Sequence, residues 1–225
     1  MDELRAGEET SVNQQSLNAN VDGIIDNLER LSAARDRALT LSRQIVRLSA
    51  NAVRALHRSE RDVAATLLEE ARGLLDQMTG VVAASTSLYW AGYVQDAMKE
   101  FAEAAITAAL LADVPLSDPA TLGVEHAPYL NALAEAASEL RRDTLDALRG
   151  GDVPRALQLL RRMDDVYAVL VTVDFPDAIT GGLRRSTDQL RGVLERTRGD
   201  VTVALRQDRL ERALQRVERA IGPSL

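Results

Sequence analysis

The chain contains no cysteine, only two histidines and a single lysine among its 225 residues. The absence of cysteine excludes disulfides, zinc–thiolate sites and cysteine nucleophiles. With only His57 and His126 available, a ferritin-like di-metal bundle, which needs a Glu-x-x-His motif on two helices, is excluded as well. No glycine-rich phosphate loop, Ser–His–Asp set or dinucleotide fingerprint is present. Any catalysis by this chain would therefore depend on carboxylates and a divalent metal ion.

Aromatic residues are scarce, at 3% of the chain, whereas hydrophobic residues reach 46%, mostly as Ala and Leu. This balance favours an all-α protein. No apolar run is long enough to span a membrane, and the acidic, polar N-terminus is unlike a signal peptide. We therefore expect a cytoplasmic protein with no membrane partner.

Apolar residues at helical spacing predict a bundle of six to seven helices, without strands, in a single domain. Residues 1–30 are acidic and low in apolar content, so we expect a partly disordered lead-in before an α-helical domain that spans residues 31–225. Ser59 is predicted to cap the second helix. The chain is predicted to end in two separate helices, Leu183–Arg198 and Val201–Ile221.

Two predicted helices each carry a pair of glutamates. Glu135 and Glu139 lie four residues apart, a spacing at which like charges destabilise a helix by a few tenths of a kcal/mol. Glu100 and Glu103 precede an almost wholly apolar stretch, which indicates that they point into an enclosed polar space. The four carboxylates are candidate ligands of a hard divalent cation. The alternative is an exposed face of mixed charge, in which Arg142 pairs with Glu139.

Arginine forms a basic stripe on an otherwise acidic protein of net charge −7. From Arg35 to Arg58 there are six arginines and one acid, Asp36. Four of them fall within an arc of about 60° at 100° per residue: Arg43, Arg47, Arg54 and Arg58. Arginine grips phosphate bidentately, so this stripe is a candidate nucleic-acid-binding surface, with an ordinary solvated face as the alternative. His57 beside it is either a phosphate contact or a polar residue at a helix end.

Five segments, in this order, resemble the translin family, which comprises translin and the translin-associated factor X (Trax). They cover about residues 30–205, and the chain is identified as a single-subunit, prokaryotic-type member. The segments are SRQIVRLSANAVRALHR (42–58), KEFAEA (99–104), YLNALAEAASELRR (129–142), the helix after Gly150–Gly151 that ends near Met163 and Tyr167, and FPDAITGGLRRSTDQLRGVLE (175–195).

The resemblance implies a translin-like helical fold that assembles as a homo-oligomer, an octameric shell. It implies binding of single-stranded RNA and possibly single-stranded DNA, and Trax-like RNA cleavage with Mg²⁺ or Mn²⁺. The family's catalytic acids fall on Glu100, Glu103, Glu135 and Glu139. Glu135 stands where the Trax pattern has Asp, and Ser138 replaces Gly. The family's basic residues before the first glutamate pair are replaced by Trp90–Tyr93, whose aromatic rings either stack on bases or pack in the core.

The sequence therefore supports three hypotheses. The first is a divalent-metal-dependent endoribonuclease. The second is a catalytically inert shell that binds RNA or single-stranded DNA, because Glu135 and Ser138 depart from the catalytic pattern. The third is a purely structural helical assembly in which the glutamates are surface acids. Metal-dependent turnover separates the first two, and oligonucleotide binding at low salt separates them from the third.

Overall fold

The computed structural model describes the backbone of residues 2–221 and the side chains of residues 13–219. Within this part of the chain every regular element is a helix, which confirms the all-α prediction. Six long helices match the predicted number, and three four-residue helices lie in the connections. The helices are α1 (Asp2–His57), α2 (Arg61–Val82), α3 (Thr86–Tyr89), α4 (Gly92–Ala112), α5 (Pro119–Leu122), α6 (His126–Arg149), α7 (Val153–Leu170), α8 (Asp177–Thr180) and α9 (Leu183–Ile221).

The turn between α1 and α2 corrects one prediction. Ser59 does not cap α2: it adopts φ 60°, in the left-handed region, and its amide donates to the Leu56 carbonyl at 2.8 Å. Glu60 is the residue that precedes α2, and its side chain makes no capping hydrogen bond. Ser59 thus closes the first helix, because a left-handed residue satisfies the last carbonyls of a helix while the chain reverses.

The last helix corrects another prediction, since α9 is one continuous helix of 39 residues and not two. The glycine at 199 lies inside it, where a glycine costs only about 1 kcal/mol relative to alanine. Thr197 and Val201 on either side are buried against the body, at 0% and 1% exposure. This burial stabilises the helix on both sides of the glycine.

The first helix continues without interruption through the predicted boundary at residue 30. The side chains of residues 1–12 lie outside the described part, so the partly disordered lead-in stays a prediction. Residues 13–30 are all exposed, and burial of α1 begins only beyond them. The first half of α1 therefore projects from the bundle, whereas its second half is part of it.

The centre of the bundle is formed by α4 and α6. Helix α4 packs against α1, α2 and α6, and α6 packs in addition against α7 and α9. Alanines are buried along both central helices, and such small side chains let two helix axes approach closely. They are Ala97, Ala102, Ala104, Ala132, Ala134, Ala136 and Ala137. The close approach brings the glutamates of α4 opposite those of α6.

Larger side chains fill the space around this central pair. The fully buried ones include Ile45, Leu75, Met78, Met98, Ile106, Leu140, Leu159, Met163, Leu170, Leu190 and Leu194. These side chains come from all six long helices, so one hydrophobic core fixes the positions of α4 and α6, the two helices that carry the glutamates. Within the described residues, none of the helices combines the length and the apolarity that a bilayer span requires.

Candidate metal centre and nucleic-acid interface

Three glutamates from the two central helices converge on one point. Glu100 and Glu103 of α4 and Glu135 of α6 each place one carboxylate oxygen within 4.8 Å of the other two. All three residues are half-buried. Carboxylate oxygens are the ligands that Mg²⁺ and other hard divalent cations take, so the donor set fits such an ion. We refer to these three residues as the carboxylate group.

The carboxylate group carries more negative charge than its neighbouring cation balances. Burial, and after it the negative charges of Glu100, Glu135 and Glu139, together raise the pKa of Glu103 from 4.5 to about 8. Glu103 therefore holds a proton at neutral pH unless a cation approaches. Three ionised carboxylates in one half-buried place need an additional positive charge.

Part of that charge comes from Lys99, the single lysine of the chain. Its Nζ lies 2.7 Å from Glu135 Oε2 and 3.2 Å from Glu100 Oε1, so it bridges α4 and α6. Burial alone would lower the pKa of Lys99, but the hydrogen bond to Glu135 and the two carboxylate charges outweigh it and hold the pKa above its ordinary value. Any divalent cation bound here would compete with this ammonium for the same oxygens.

Glu139, the fourth predicted ligand, is directed elsewhere. Its Oε2 accepts a hydrogen bond from His57 Nε2 at 2.8 Å, and the other ring nitrogen of His57 donates to Asp143 Oδ2 at 2.8 Å. The His57 side chain is only 4% exposed. The hydrogen bonds to Asp143 and then to Glu139 raise the pKa of His57 to about 9, against the effect of burial, so both nitrogens carry protons at neutral pH.

A small cavity of about 300 Å³ opens over the carboxylate group from the α1 side. It is lined by Glu100, Glu103 and Glu139, and its rim carries Arg54 and Arg142. Guanidinium groups beside a carboxylate cluster provide the arrangement that a phosphodiester needs, with the cations on the phosphate and the acids at the metal position.

The four arginines of the predicted stripe are all exposed, but their surroundings differ. Arg54 borders the small cavity and donates to Asn51 Oδ1 at 2.6 Å. Arg58 is held in a two-pronged pair by Glu60, at 2.6 and 3.0 Å. Arg43 and Arg47 have no acidic partner among residues 13–219. The stripe is thus a real basic face, with Arg54 nearest to the carboxylate group.

The two aromatic residues around the start of α4, Trp90 and Tyr93, differ in their surroundings. Tyr93 is partly buried and packs against the core, with a buried hydroxyl that has no partner within the described part of the chain. Trp90 is 56% exposed and makes an edge-on contact with Tyr89. The packing prediction is correct for Tyr93 and wrong for Trp90.

Three residues of the site were not predicted in their actual roles: His57, Lys99 and Asp143. A signal for Asp143 exists in the sequence, because Glu135, Glu139 and Asp143 repeat every four residues and so share one face of α6. Lys99 was marked by being the single lysine and by preceding Glu100. The burial of His57 between two acids has no signal in its own neighbourhood.

Comparisons with known proteins give consistent matches. No family model matches the chain. The uncharacterized protein MJ0175 of Methanocaldococcus jannaschii is 27% identical over 197 residues, 87% of each chain. AfC3PO, solved as a complex with duplex RNA, is 30% identical with a TM-score of 0.75, and the match covers 82% of this chain and 96% of AfC3PO. A crystal structure of AfC3PO with the same coverage is 29% identical, with a TM-score of 0.76.

A further similar structure is that of apo-NeC3PO, with a TM-score of 0.74 at 17% identity, over 82% of this chain and 97% of NeC3PO. At that identity the likeness concerns the fold alone. AfC3PO and NeC3PO are C3PO proteins of the translin family.

Proposed function

Because this chain belongs to the translin family, as its sequence resemblance predicted, we propose that it binds RNA and cleaves it with Mg²⁺ or Mn²⁺ at the carboxylate group. The observation that supports this most directly is the convergence of Glu100, Glu103 and Glu135 within 4.8 Å. AfC3PO, at 30% identity, has been solved with duplex RNA, which supports RNA as the ligand. We propose single-stranded RNA as the substrate and single-stranded DNA as a further ligand.

Arg43, Arg47, Arg54 and Arg58 bind the phosphate backbone in this proposal. Contacts of this kind carry no sequence information, so the protein accepts many RNA sequences. Each phosphate contact releases counterions, and affinity therefore falls steeply as salt rises. A phosphate can replace Glu60 as the partner of Arg58, because an exposed ion pair stabilises a protein by only about 0–1 kcal/mol.

Each residue of the site has a separate catalytic role in this proposal. A bound divalent cation supplies Lewis-acid polarisation of a phosphate oxygen and activation of water. Glu100, Glu103 and Glu135 would hold the cation, with all three in the ionised form that ligation requires. Glu139 remains outside the group of ligands, with its orientation fixed by His57, and acts as the general base. Arg54 orients the phosphate from the rim of the small cavity.

Lys99 favours a second candidate function, an RNA-binding protein without nuclease activity. Its ammonium already pairs with Glu100 and Glu135, at 3.2 and 2.7 Å, so the group has a cation of its own. If Lys99 does not leave, divalent metal binding is weak and RNA is bound without being cut. The two candidates differ in metal-dependent turnover and agree in RNA binding.

Self-association is part of the proposal, because both projecting helix ends carry apolar residues in water. On α1 they are Leu17, Val21, Ile24, Ile25 and Leu28, and on α9 they are Val203, Leu210, Leu214 and Val217. Spacings of three, four and seven residues place each set along one side of its helix. A monomer would leave both stripes uncovered, so we propose a homo-oligomer, with the octamer as the state that the family resemblance implies. Sedimentation velocity measures the state directly.

The central experiment incubates the purified full chain with labelled single-stranded RNA and Mn²⁺. Parallel reactions contain duplex RNA and single-stranded DNA. The test variant is Glu100→Gln, Glu135→Gln. The matched control is Glu69→Gln, Glu70→Gln, which makes the same change of charge at two exposed positions of α2.

Cleavage by the wild type and the control, but not by the test variant, supports the nuclease. Equal cleavage by all three proteins contradicts the carboxylate group as the active site. Binding without cleavage favours the inert binding protein, and no binding at low salt contradicts both.

A further inference from the structure

A second and larger cavity, of about 700 Å³, adjoins the carboxylate group, and none of the four arginines of the stripe lines it. It lies between the start of α4, the start of α6 and the turn from α8 to α9. Lys99 and Glu135 form the end that faces the carboxylate group, and Trp90, Arg185 and Gln189 line the remainder. The function proposed above makes no use of this cavity.

One wall of the cavity is held by the hydrogen bonds of a buried asparagine. Asn131, only 6% exposed, donates to the Ala127 and Thr180 carbonyls at 2.9 and 2.8 Å and accepts from Ser186 Oγ at 2.7 Å. These bonds fasten the turn between α8 and α9 to α6. The turn itself needs two consecutive glycines, which have φ of 61° and 85°, values that residues with a side chain rarely adopt.

Trp90 presents an aromatic ring to the solvent beside this cavity. It is 56% exposed in a chain with very few aromatic residues, and its ring meets that of Tyr89 edge-on at 5.3 Å and 79°. Tyr89 in turn donates a hydrogen bond to Glu125, so the edge contact has a fixed partner. Tyr89 thus supports Trp90 on one side, and an exposed aromatic ring of this kind is a platform on which a nucleobase can stack.

Arg185 provides an unused positive charge in the same cavity. It is exposed, and no carboxylate pairs with it within residues 13–219, whereas its neighbour Arg184 faces Asp174 at 3.8 Å. Two acids line the cavity, Glu135 and Asp96, and both face Lys99, at 2.7 and 3.9 Å. The free guanidinium of Arg185 can bind a phosphate, and the exposed indole of Trp90 can stack on a base. Both lie near the carboxylate group, where cleavage is proposed to occur.

We propose that this cavity is a nucleotide subsite, in which a base of an unpaired RNA strand stacks on Trp90 and an adjacent phosphate binds Arg185. The inference rests on the proposed function, and it adds the direction in which the strand leaves the carboxylate group. A base within a duplex is already stacked on both sides, so the subsite selects unpaired nucleotides. The indole accepts any base, because every base offers a π-face.

The test uses the fluorescence of Trp90, which is the only tryptophan in the chain. The full-length protein is titrated with a short single-stranded RNA at low salt in EDTA, which prevents cleavage. Anisotropy of the same RNA carrying a label reports total binding in parallel. We expect Trp90 fluorescence to be quenched over the concentration range in which anisotropy rises. An abasic strand of equal length should bind without quenching, because it retains the phosphates and lacks the bases.

Two substitutions examine the individual contacts. Arg185→Ala should weaken binding of the single strand by about tenfold, whereas Arg191→Ala, an exposed arginine of α9 that does not line the cavity, should change it by less than about twofold. Trp90→Ala should weaken binding by about tenfold, and Trp90→Phe should restore most of the loss, because phenylalanine still stacks. Trp90 and Arg185 are both exposed, so circular dichroism of each variant should match the wild type.

Each outcome has one meaning. Quenching by RNA but not by the abasic strand, together with a selective effect of Arg185→Ala, supports the subsite. Binding without quenching, equal quenching by the abasic strand, or equal effects of Arg185→Ala and Arg191→Ala overturns the subsite and leaves the proposed function intact. No anisotropy change at low salt overturns both.

Discussion

Two cations each lie between two carboxylates beside the same face of α6, and they do so differently. Lys99 bridges Glu135 and Glu100 with one flexible ammonium that is 22% exposed. His57 bridges Glu139 and Asp143 through two rigid ring nitrogens and is 4% exposed. The first arrangement can open without disturbing the core, whereas the second has no freedom to open.

The difference shows how one acidic stripe can serve two purposes. Glu135, Glu139 and Asp143 are chemically alike and repeat every four residues, so the helix alone does not distinguish them. The cation that faces each one does: beside Lys99 the carboxylates can exchange the ammonium for a metal ion, and beside His57 they are held in a fixed orientation. We expect substitutions on the two sides to affect different measurements.

The largest expected effect concerns activity and tests the Lys99 side. Glu135→Gln removes a negatively charged ligand and should lower Mn²⁺-dependent RNA cleavage by about a hundredfold or more. Asp143→Asn, which acts only through His57, should lower cleavage by less than about tenfold. Initial rates at saturating Mn²⁺ measure both. Equal losses would show that the two arrangements do not differ in function.

The next effect concerns stability and tests the His57 side. His57→Ala leaves two acids facing each other without a cation and should destabilise the fold by about 2 kcal/mol, reduced from the value for fully buried pairs because Glu139 is 38% exposed. Lys99→Met should change stability by less than about 1 kcal/mol, since its partners can protonate or meet water. Urea unfolding of the two variants gives the comparison. A greater loss for Lys99→Met would reverse the assignment.

A smaller effect is expected in metal binding. Lys99→Met removes the ammonium that competes for Glu100 and Glu135, and should tighten Mn²⁺ binding by about tenfold. Calorimetry without RNA measures this, at a pH above 8, where Glu103 has lost its proton. Arg142→Met, at the rim of the small cavity, is the matched control. Weaker Mn²⁺ binding in Lys99→Met would mean that the lysine organises the group and does not compete with the metal.

The most gradual effect is the dependence of stability on pH. The folded pKa of His57 is about 9 against 6.5 for the ordinary side chain, so its stabilisation is complete below pH 6.5 and is lost as pH rises through 9. Glu103, raised from 4.5 to about 8, acts in the same direction over a lower range. Each proton contributes at most about 1.4 kcal/mol per pH unit. Unfolding free energies of Glu103→Gln should fall between pH 6.5 and 9, and His57→Gln in that background should abolish the fall.

Much of this site could be predicted from the sequence, because helical spacing defines which residues share a face. The pairs Glu100 with Glu103 and Glu135 with Glu139 were found that way, and the family resemblance supplied what spacing cannot, namely that the two helices pack on each other. The all-α class followed from composition. These predictions succeed because each depends on local order or on a matched fold.

The remainder depends on contacts between residues that are distant along the chain. His57 reaches Glu139 across 82 residues, and this bond removes Glu139 from the carboxylate group. Lys99 reaches Glu135 across 36 residues. The error inside α9 has the same origin, since the burial of Thr197 and Val201 outweighs the glycine between them. The error at Ser59 is local, because its left-handed backbone closes the preceding helix.

Every side chain of the carboxylate group, and both of its neighbouring cations, comes from α1, α4 and α6 of a single polypeptide. No residue of a second copy is needed to complete the set. An assembly reconstituted from wild-type and Glu135→Gln subunits should therefore lose activity in simple proportion to the fraction of altered subunits. Chemical damage to one subunit of such an assembly would therefore remove the activity of that subunit and leave the activity of the other subunits unchanged.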